Sequence, residues 1–453
     1  MQQYSIRILS GENAEEIDRI FSSRSQRLDD AERAVAPIIR AVVREGDRAL
    51  VRFARRWDGF QGTASDLAVS ATVIAAARRS VDPSFLRAVR DAERNIRKFC
   101  RLQMPKQWLR TTQPGVRAGQ LIRPLDSVGC YIPGGRYPLP STLLMTAIPA
   151  QVAGVQRVVV CTPRPVQEIL AVANVLGIAE IYTVGGAPAI AALAYGSKSI
   201  AAVSKIVGPG NAYVAAAKRL VARDTAIDFV AGPTEILTIA ADGNPAWLAA
   251  DLLAQAEHDV DATALLLTTS AKLATAVAQA VQMQLDTLPK ENPAAAALHK
   301  NCAIIVVRNL DEAVSLANRF APEHLSVPAS IALEKIRNAG SVFVGPFSPE
   351  AAGDYASGPN HVLPTGGIAR LRGGLSVLDF VKVISVQELT ATGLRRLAPA
   401  IVSLARGEGL EAHARSVEIR LEPDKKPSRD RKGAVLQGQI PPVKANRSRK
   451  RKL

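Results

Sequence analysis

The chain has 453 residues, of which 47% are hydrophobic and 22% charged, and a formal net charge of +16. Single cores stop growing near roughly 250 to 300 residues, so two or more domains are expected, and no uninterrupted apolar run of about 18 residues is present to span a bilayer. The cysteines Cys100, Cys130, Cys161 and Cys302 lie far apart without a CxxC pair, which excludes a disulfide framework and a thiolate zinc site and leaves free thiols.

In chain order, the start MQQYSIRILSGENAEEIDRIF lacks the basic start, apolar run and small-residue cleavage site of an export signal, so a cytoplasmic protein is expected. The first 120 residues are predicted to be helical, with charged and apolar positions interleaved in AERAVAPIIRAVVREGDRALVRFARRW and FLRAVRDAERNIRKF. From Ser127 to about Ala240, short apolar runs (VGCYI, VVVCT, EIYTVGG, KIVGPG) alternate with small-residue helical stretches, the pattern of parallel strands with crossover helices. A second such series runs from PAWLAADLLAQAEHD through ATALLLTT, AIIVV, HLSV and the predicted helix ALEKIRNAG to SVFVG. Residues 386 to 418 are again predicted to be helical. The fold class is therefore α/β, with two doubly wound, incompletely Rossmann-like parallel-sheet domains and small helical N- and C-terminal elements. The expected division is an N-terminal element 1–25, one α/β domain from 26–127 with 237–376, a second at 128–236, a helical arm 377–421 and a tail 422–453.

That tail carries eleven basic against three acidic residues from Leu421 onward, with four prolines and no aromatic residue, so it is expected to be disordered. Half of the positive excess resides there, which confines any nucleic-acid reading to the tail. Such a reading predicts salt-dependent binding lost on deletion after Leu421.

No segment matches GxGxxG after a strand, nor GxxxxGK[ST]. The nearest feature, Gly208-Pro209-Gly210-Asn211, could hold a phosphate on free N–H groups or be a tight structural turn. Five histidines occur: His258, His299, His324, His361 and His413. Gln255 and His258 are three apart on a predicted helix and share a face. Glu323 and His324 follow Pro322 where a strand should begin, and can serve one site only from an irregular entry. Asp354 and His361 lie in a Gly- and Pro-rich segment, 345–365, expected as a long ordered loop after a strand. Glu408 and His413 lie in a helical setting. Each context alone also suits a solvated or structural residue. Together, Gln, His, Asp and His form an oxygen and nitrogen donor set suited to a catalytic zinc.

The ordered segments RPLDSVGCYIPGG, PLPST, VGGAPAIAALAYG, KIVGPGNAYVAAAK, FVAGPTE, DLLAQAEHD, APEHL, SPEAAGDYASGPNHVLPT and LSVLDFVK resemble the histidinol dehydrogenase family, from about residue 25 to residue 420. The resemblance implies NAD-dependent oxidation of L-histidinol to L-histidine, with zinc held by Gln255, His258, Asp354 and His413. It implies Glu323 and His324 as the acid/base pair. Substrate contacts would fall on Thr234, Gln255, His258, Glu323, His324, Asp354, His361, Glu408 and His413, with Thr234 at a position more often serine. It places NAD on the 128–236 domain, at Tyr131 and Asn211, and puts Pro188 where the family has a glutamine, so one cofactor contact is missing or replaced. It further implies a homodimer in which the 377–421 arm is exchanged and His413 and Glu408 reach the partner's site. The alternative left open is a related zinc-dependent NAD dehydrogenase acting on another alcohol or diol.

Overall fold

The computed structural model describes residues 6–22, 24, 28–134 and 138–422. The basic tail, from residue 423 on, lies outside the described residues, as does the start of the N-terminal element. The chain divides into two units, one of Met1–Gln107 with Leu121–Ile384, the other of Trp108–Gln120 with Ser385–Leu453.

The first unit contains two parallel sheets. One has six strands in the spatial order Arg7–Ser10, Ala303–Val306, Thr263–Thr268, Glu235–Ala240, His324–Val327 and Ser341–Val344. Its alternation sends Ile236, Ala264, Leu266 and Ile304 to one apolar layer, under the helices Pro245–Ala256 and Ala271–Leu285. Leu237, Leu265, Leu267 and Ile305 enter the opposite layer, with Ile17, Ile20 and the helix Leu310–Phe320. Coverage on both faces is why these strands read as continuous apolar runs. The other sheet has five strands, in the order Glu180–Tyr182, Arg157–Cys161, Ser127–Tyr131, Lys205–Val207 and Ala226–Ile227. All four cysteines are buried and free, as expected.

The helices Asp29–Glu45, Asp47–Trp57, Ala71–Ser80 and Pro83–Gln103 join the apolar layers on the two sides of the five-stranded sheet, packed against its crossover helices, through Val35, Val42 and Leu50 on one side and Ile74, Val89 and Ile96 on the other. An amphipathic helix declares that it has an apolar face, not which sheet that face will cover.

Three local expectations are corrected. Arg7–Ser10 is an edge strand rather than helix, and Trp108–Gln113 and Val116–Pro124 form an antiparallel pair. The segment around ALEKIRNAG holds only a single tight turn, Leu333–Lys335. Val381–Leu389, partly inside the predicted C-terminal helix, is a strand beside Val116–Pro124. In the second unit the helices Ala391–Gly407 and Glu411–Leu421 follow; Thr390 caps the first by accepting from the Gly393 N–H at 3.2 Å. Among the described residues no helix is long and apolar enough to cross a membrane.

Candidate active site

In the six-stranded sheet, after the N-terminal edge strand Arg7–Ser10, the strand Glu235–Ala240 is the first in sequence; the next two strands are added on one side of it and His324–Val327 on the other. The topological switch point therefore lies between Glu235–Ala240 and His324–Val327. Open α/β sheets usually bind ligands at the carboxyl ends of strands at such a point. Here the candidate residues gather at the amino ends, because Thr234 and Glu323 immediately precede the two strands and His324 pairs with Ile236.

Ala321 ends the preceding helix in the left-handed region (φ 56°), which turns the chain at Pro322 and gives the irregular entry that lets Glu323 and His324 serve one site. Glu323 Oε2 accepts from the Glu235 N–H at 2.8 Å and lies 2.6 Å from Thr234 Oγ1. His324 Nδ1 is 3.0 Å from the Glu235 carbonyl oxygen, so it carries the proton and donates. Its Nε2 is thereby left as an acceptor; it is buried, has no hydrogen-bond partner among the described residues, and lies 3.8 Å from Asp354 Oδ1.

Gln255, on the helix Pro245–Ala256, is fully buried. Its amide satisfies both ends with the nitrogen toward Glu350, 2.9 Å from Oε2, and the oxygen accepting from Thr234 Oγ1 at 2.5 Å and the Glu235 N–H at 3.2 Å. Thr234 has one hydroxyl hydrogen and cannot donate to both Gln255 and Glu323. Burial pushes the Glu323 carboxyl well above the usual range, against the hydrogen bonds from Thr234 and the Glu235 N–H that lower it.

His258 is not on the helix, which ends at Ala256; it sits in the following turn, exposed, with Nδ1 2.9 Å from the Ala254 carbonyl oxygen. It is near enough to act electrostatically on Asp354, His324 and His361, so it stands beside the cluster. The segment 345–365 is not a plain loop. It contains a short helix, Glu350–Tyr355, whose first residue and Asp354 are four apart and share a face. His361 Nδ1 donates to the Asp354 carbonyl oxygen at 2.8 Å, and Nε2 lies 3.4 Å from Thr142 Oγ1, on a helix that follows a strand of the five-stranded sheet.

Burial dominates the electrostatics. It pushes Glu350 well above the carboxylate range, reinforced by Asp354, Glu323 and Asp251, and pushes Asp354 and Asp251 up to about 6. It pushes His324 down to about 3 and His361 to about 4, so both are neutral. Glu323, Glu350 and Asp354 have only His324 within ion-pair distance among the described residues. One atom each of His324, Glu350 and Asp354 can be chosen within 4.8 Å of one another. Buried acids without basic partners around an orphaned imidazole nitrogen fit a divalent cation.

Sequence reasoning missed Glu350, Asp251, Glu235 and Arg24. Glu235 is the compensated acid of the site: it pairs with Arg24 at 2.8 Å and accepts from the Gly366 N–H at 2.8 Å. The spacings Asp251 to Gln255 and Glu350 to Asp354, four residues each, were the available signal. Glu408 and His413 belong to the second unit, where both are exposed.

At the carboxyl edge of the five-stranded sheet, Tyr131 Oη accepts from the Gly186 N–H at 3.0 Å and Asp58 accepts from the Gly185 N–H at 3.2 Å. Pro188 sits in the first turn of the helix Gly186–Tyr195, where a missing N–H costs no intrahelical bond. Gly208 (φ 119°) lies so close to Tyr131 that an added Cβ would meet its carbonyl oxygen at 2.1 Å. The Gly208 N–H donates to Asp228 and its carbonyl accepts from Lys218, while Asn211 Oδ1 caps the next helix at Tyr213 and Val214. The Gly-Pro-Gly-Asn segment is thus a structural turn as well as a neighbour of Tyr131.

Fold and cluster together define an α/β protein with a buried, cation-type polar centre at a sheet switch point. A family model described as histidinol dehydrogenase matches residues 22–421. The chain is 48% identical over 404 residues to histidinol dehydrogenase of Methanothermobacter thermautotrophicus, covering 87% of this chain and 94% of that one. It is 49% identical over 409 residues to that of Rhizobium meliloti, covering 88% and 94%. The solved structure of histidinol dehydrogenase from Elizabethkingia anophelis superposes with a TM-score of 0.88 at 38% identity, covering 93% of this chain and 99% of that one. The chain belongs to the histidinol dehydrogenase family.

Proposed function

We propose that the chain oxidises L-histidinol through L-histidinaldehyde to L-histidine, the last step of histidine biosynthesis, with NAD as hydride acceptor and one zinc ion per subunit. The observation that carries this reading is the buried, unpartnered Nε2 of His324, set beside Glu323 among acids that lack basic partners.

An alcohol becoming an acid loses four electrons in two hydride transfers, and no side chain accepts hydride, so two NAD molecules are consumed per turnover. His324, with Nδ1 tied to the Glu235 carbonyl, takes the carbinol proton at Nε2. Glu323 releases its proton as positive charge enters the site, then takes one from the water that attacks the aldehyde carbon. Zinc would be held by Gln255, His258, Asp354 and His413, and when bound supplies a fixed positive charge that positions the substrate's amine and imidazole.

Thr234, Gln255, Glu323, His324, Asp354 and His361 line the substrate side, which their mutual contacts support. Exposed Glu408 and His413 complete the site from a second copy of this chain in a homodimer. Residues 128–236 bind NAD through Tyr131 and Asn211. Four buried, free cysteines suit a reducing, cytoplasmic setting.

Purified, zinc-loaded protein given L-histidinol and NAD should form two NADH per histidine, and His258→Ala should abolish this. A folded, zinc-loaded protein that forms no NADH overturns the proposal.

A further inference from the structure

Arg24 takes no part in the chemistry above, yet it is a buried cation, with a side chain 5% exposed. Its guanidinium donates from Nη1 to Glu235 Oε2 at 2.8 Å, from Nη2 to the Phe320 carbonyl oxygen at 2.7 Å and from Nε to the Phe21 carbonyl oxygen at 3.1 Å. Its Cζ lies 3.5 Å from the centroid of the Phe320 ring. Apolar residues of similar volume often replace a buried ion pair without loss of stability, so stability alone does not account for a charge here. Two of its partners share a relation to the acid/base pair. Glu235 holds Glu323 through its N–H, 2.8 Å from Oε2, and His324 through its carbonyl oxygen, 3.0 Å from Nδ1. Phe320 closes the helix Leu310–Phe320, and only the turn at Ala321 and Pro322 separates it from Glu323.

We propose that Arg24 is a positioning residue for Glu323 and His324, locking the helix end that delivers the pair to the backbone that holds it; this rests on the acid/base reading given above. One planar group spans both elements, so the separation of the Phe320 carbonyl from the Glu235 carboxyl is set by the fork of the guanidinium. The second Glu235 oxygen, Oε1, accepts from the Gly366 N–H at 2.8 Å, which anchors the start of the strand from its other side. A slip of the helix end against the strand would carry Glu323 Oε2 and His324 Nε2 away from the carbinol carbon. A misplacement of about 1 Å costs on the order of 10²-fold in rate. Lysine at this position would bring a point charge to Glu235, but neither the fork nor the plane that lies over the Phe320 ring.

The test is steady-state oxidation of L-histidinol with NAD by full-length, zinc-loaded protein, with melting curves, for wild type and three variants. These are Arg24→Lys, Arg24→Met together with Glu235→Gln, and Ile17→Ala. The last removes buried packing from the same N-terminal element without touching the guanidinium, and controls for general loosening. Arg24→Lys should lose about 10- to 100-fold in kcat. Its KM for L-histidinol should stay within about threefold of wild type, because uniform substrate binding has not been removed. The neutral pair leaves no buried charge without its partner, so it should melt close to wild type and still show the loss in kcat. Ile17→Ala should melt lower yet keep the wild-type kcat below its transition. Wild-type kcat in a folded Arg24 variant, an equal loss in Ile17→Ala, or failure of both Arg24 variants to fold overturns the inference and leaves the acid/base reading standing. Failure of the zinc-loaded wild type to form NADH overturns the function proposed above and the inference with it.

Discussion

The carboxyl edge of the five-stranded sheet and the amino edge of the six-stranded sheet both bury charge, and they treat it in opposite ways. At the first, Asp228 is paired with Lys218, accepts from the Gly208 and Phe229 N–H groups, and so fixes the turn against Tyr131. Nearby, Asp379 is held by Lys205 and Arg372. At the second, among the described residues only Glu235 has its cation, Arg24, whose guanidinium also lies over the Phe320 ring. Glu323, Glu350 and Asp354 are held close by the fold without one. The satisfied edge stabilises the protein, whereas the unsatisfied edge is stabilised by the rest of the protein and is where binding energy can be released.

The sharpest way to break this contrast is to remove a group from each edge. Glu323→Gln should lower turnover of L-histidinol by on the order of 10²- to 10⁴-fold, the usual worth of a general acid/base, with no loss of melting temperature. A comparable fall in both would make Glu323 a structural residue. Lys218→Ala should do the reverse. Asp228 left buried and unpaired costs about 3–5 kcal/mol, read as a lower urea midpoint, while Zn²⁺ affinity at the other edge stays within twofold, roughly the scatter expected of distant sites.

Smaller changes refine the cofactor side. Pro188→Gln restores an amide at a position whose helix does not need its N–H, and should lower the KM for NAD by about 2- to 10-fold, the worth of one hydrogen bond. Pro188→Ala should leave it unchanged, and equal effects of the two would point to the backbone instead.

The smallest effect concerns pH. Burial alone would raise the Asp379 pKa, but Lys205, the Ser376 N–H and Arg372 together bring it below the ordinary 3.8. A depressed carboxyl stabilises the fold above its unfolded pKa and loses that contribution as pH falls through its folded value. The stability gap between wild type and Asp379→Asn should therefore be constant near neutrality and shrink as pH falls below about 4, measured as urea midpoints across a pH series. A gap that widens on acidification would mean the ion pair is not what holds this segment.

By itself the sequence determined the layered α/β architecture, since apolar runs covered on both faces and small-residue helices are written locally. It also determined the ordered motifs that mark the family, and with them Gln255, Glu323, His324 and Asp354. Only the tertiary structure decided that these meet at the amino rather than the carboxyl edge of a sheet, and that the N-terminal helices join the apolar layers of the five-stranded sheet. It also decided that His258 lies beyond its helix and that Glu350 joins the cluster. The physical reason is the same in each case. Periodicity records which face of a segment is apolar, whereas convergence depends on strand register and on how residues a hundred positions apart cross, and a residue such as Arg24 acquires its meaning only when Glu235, 211 positions away, is buried against it.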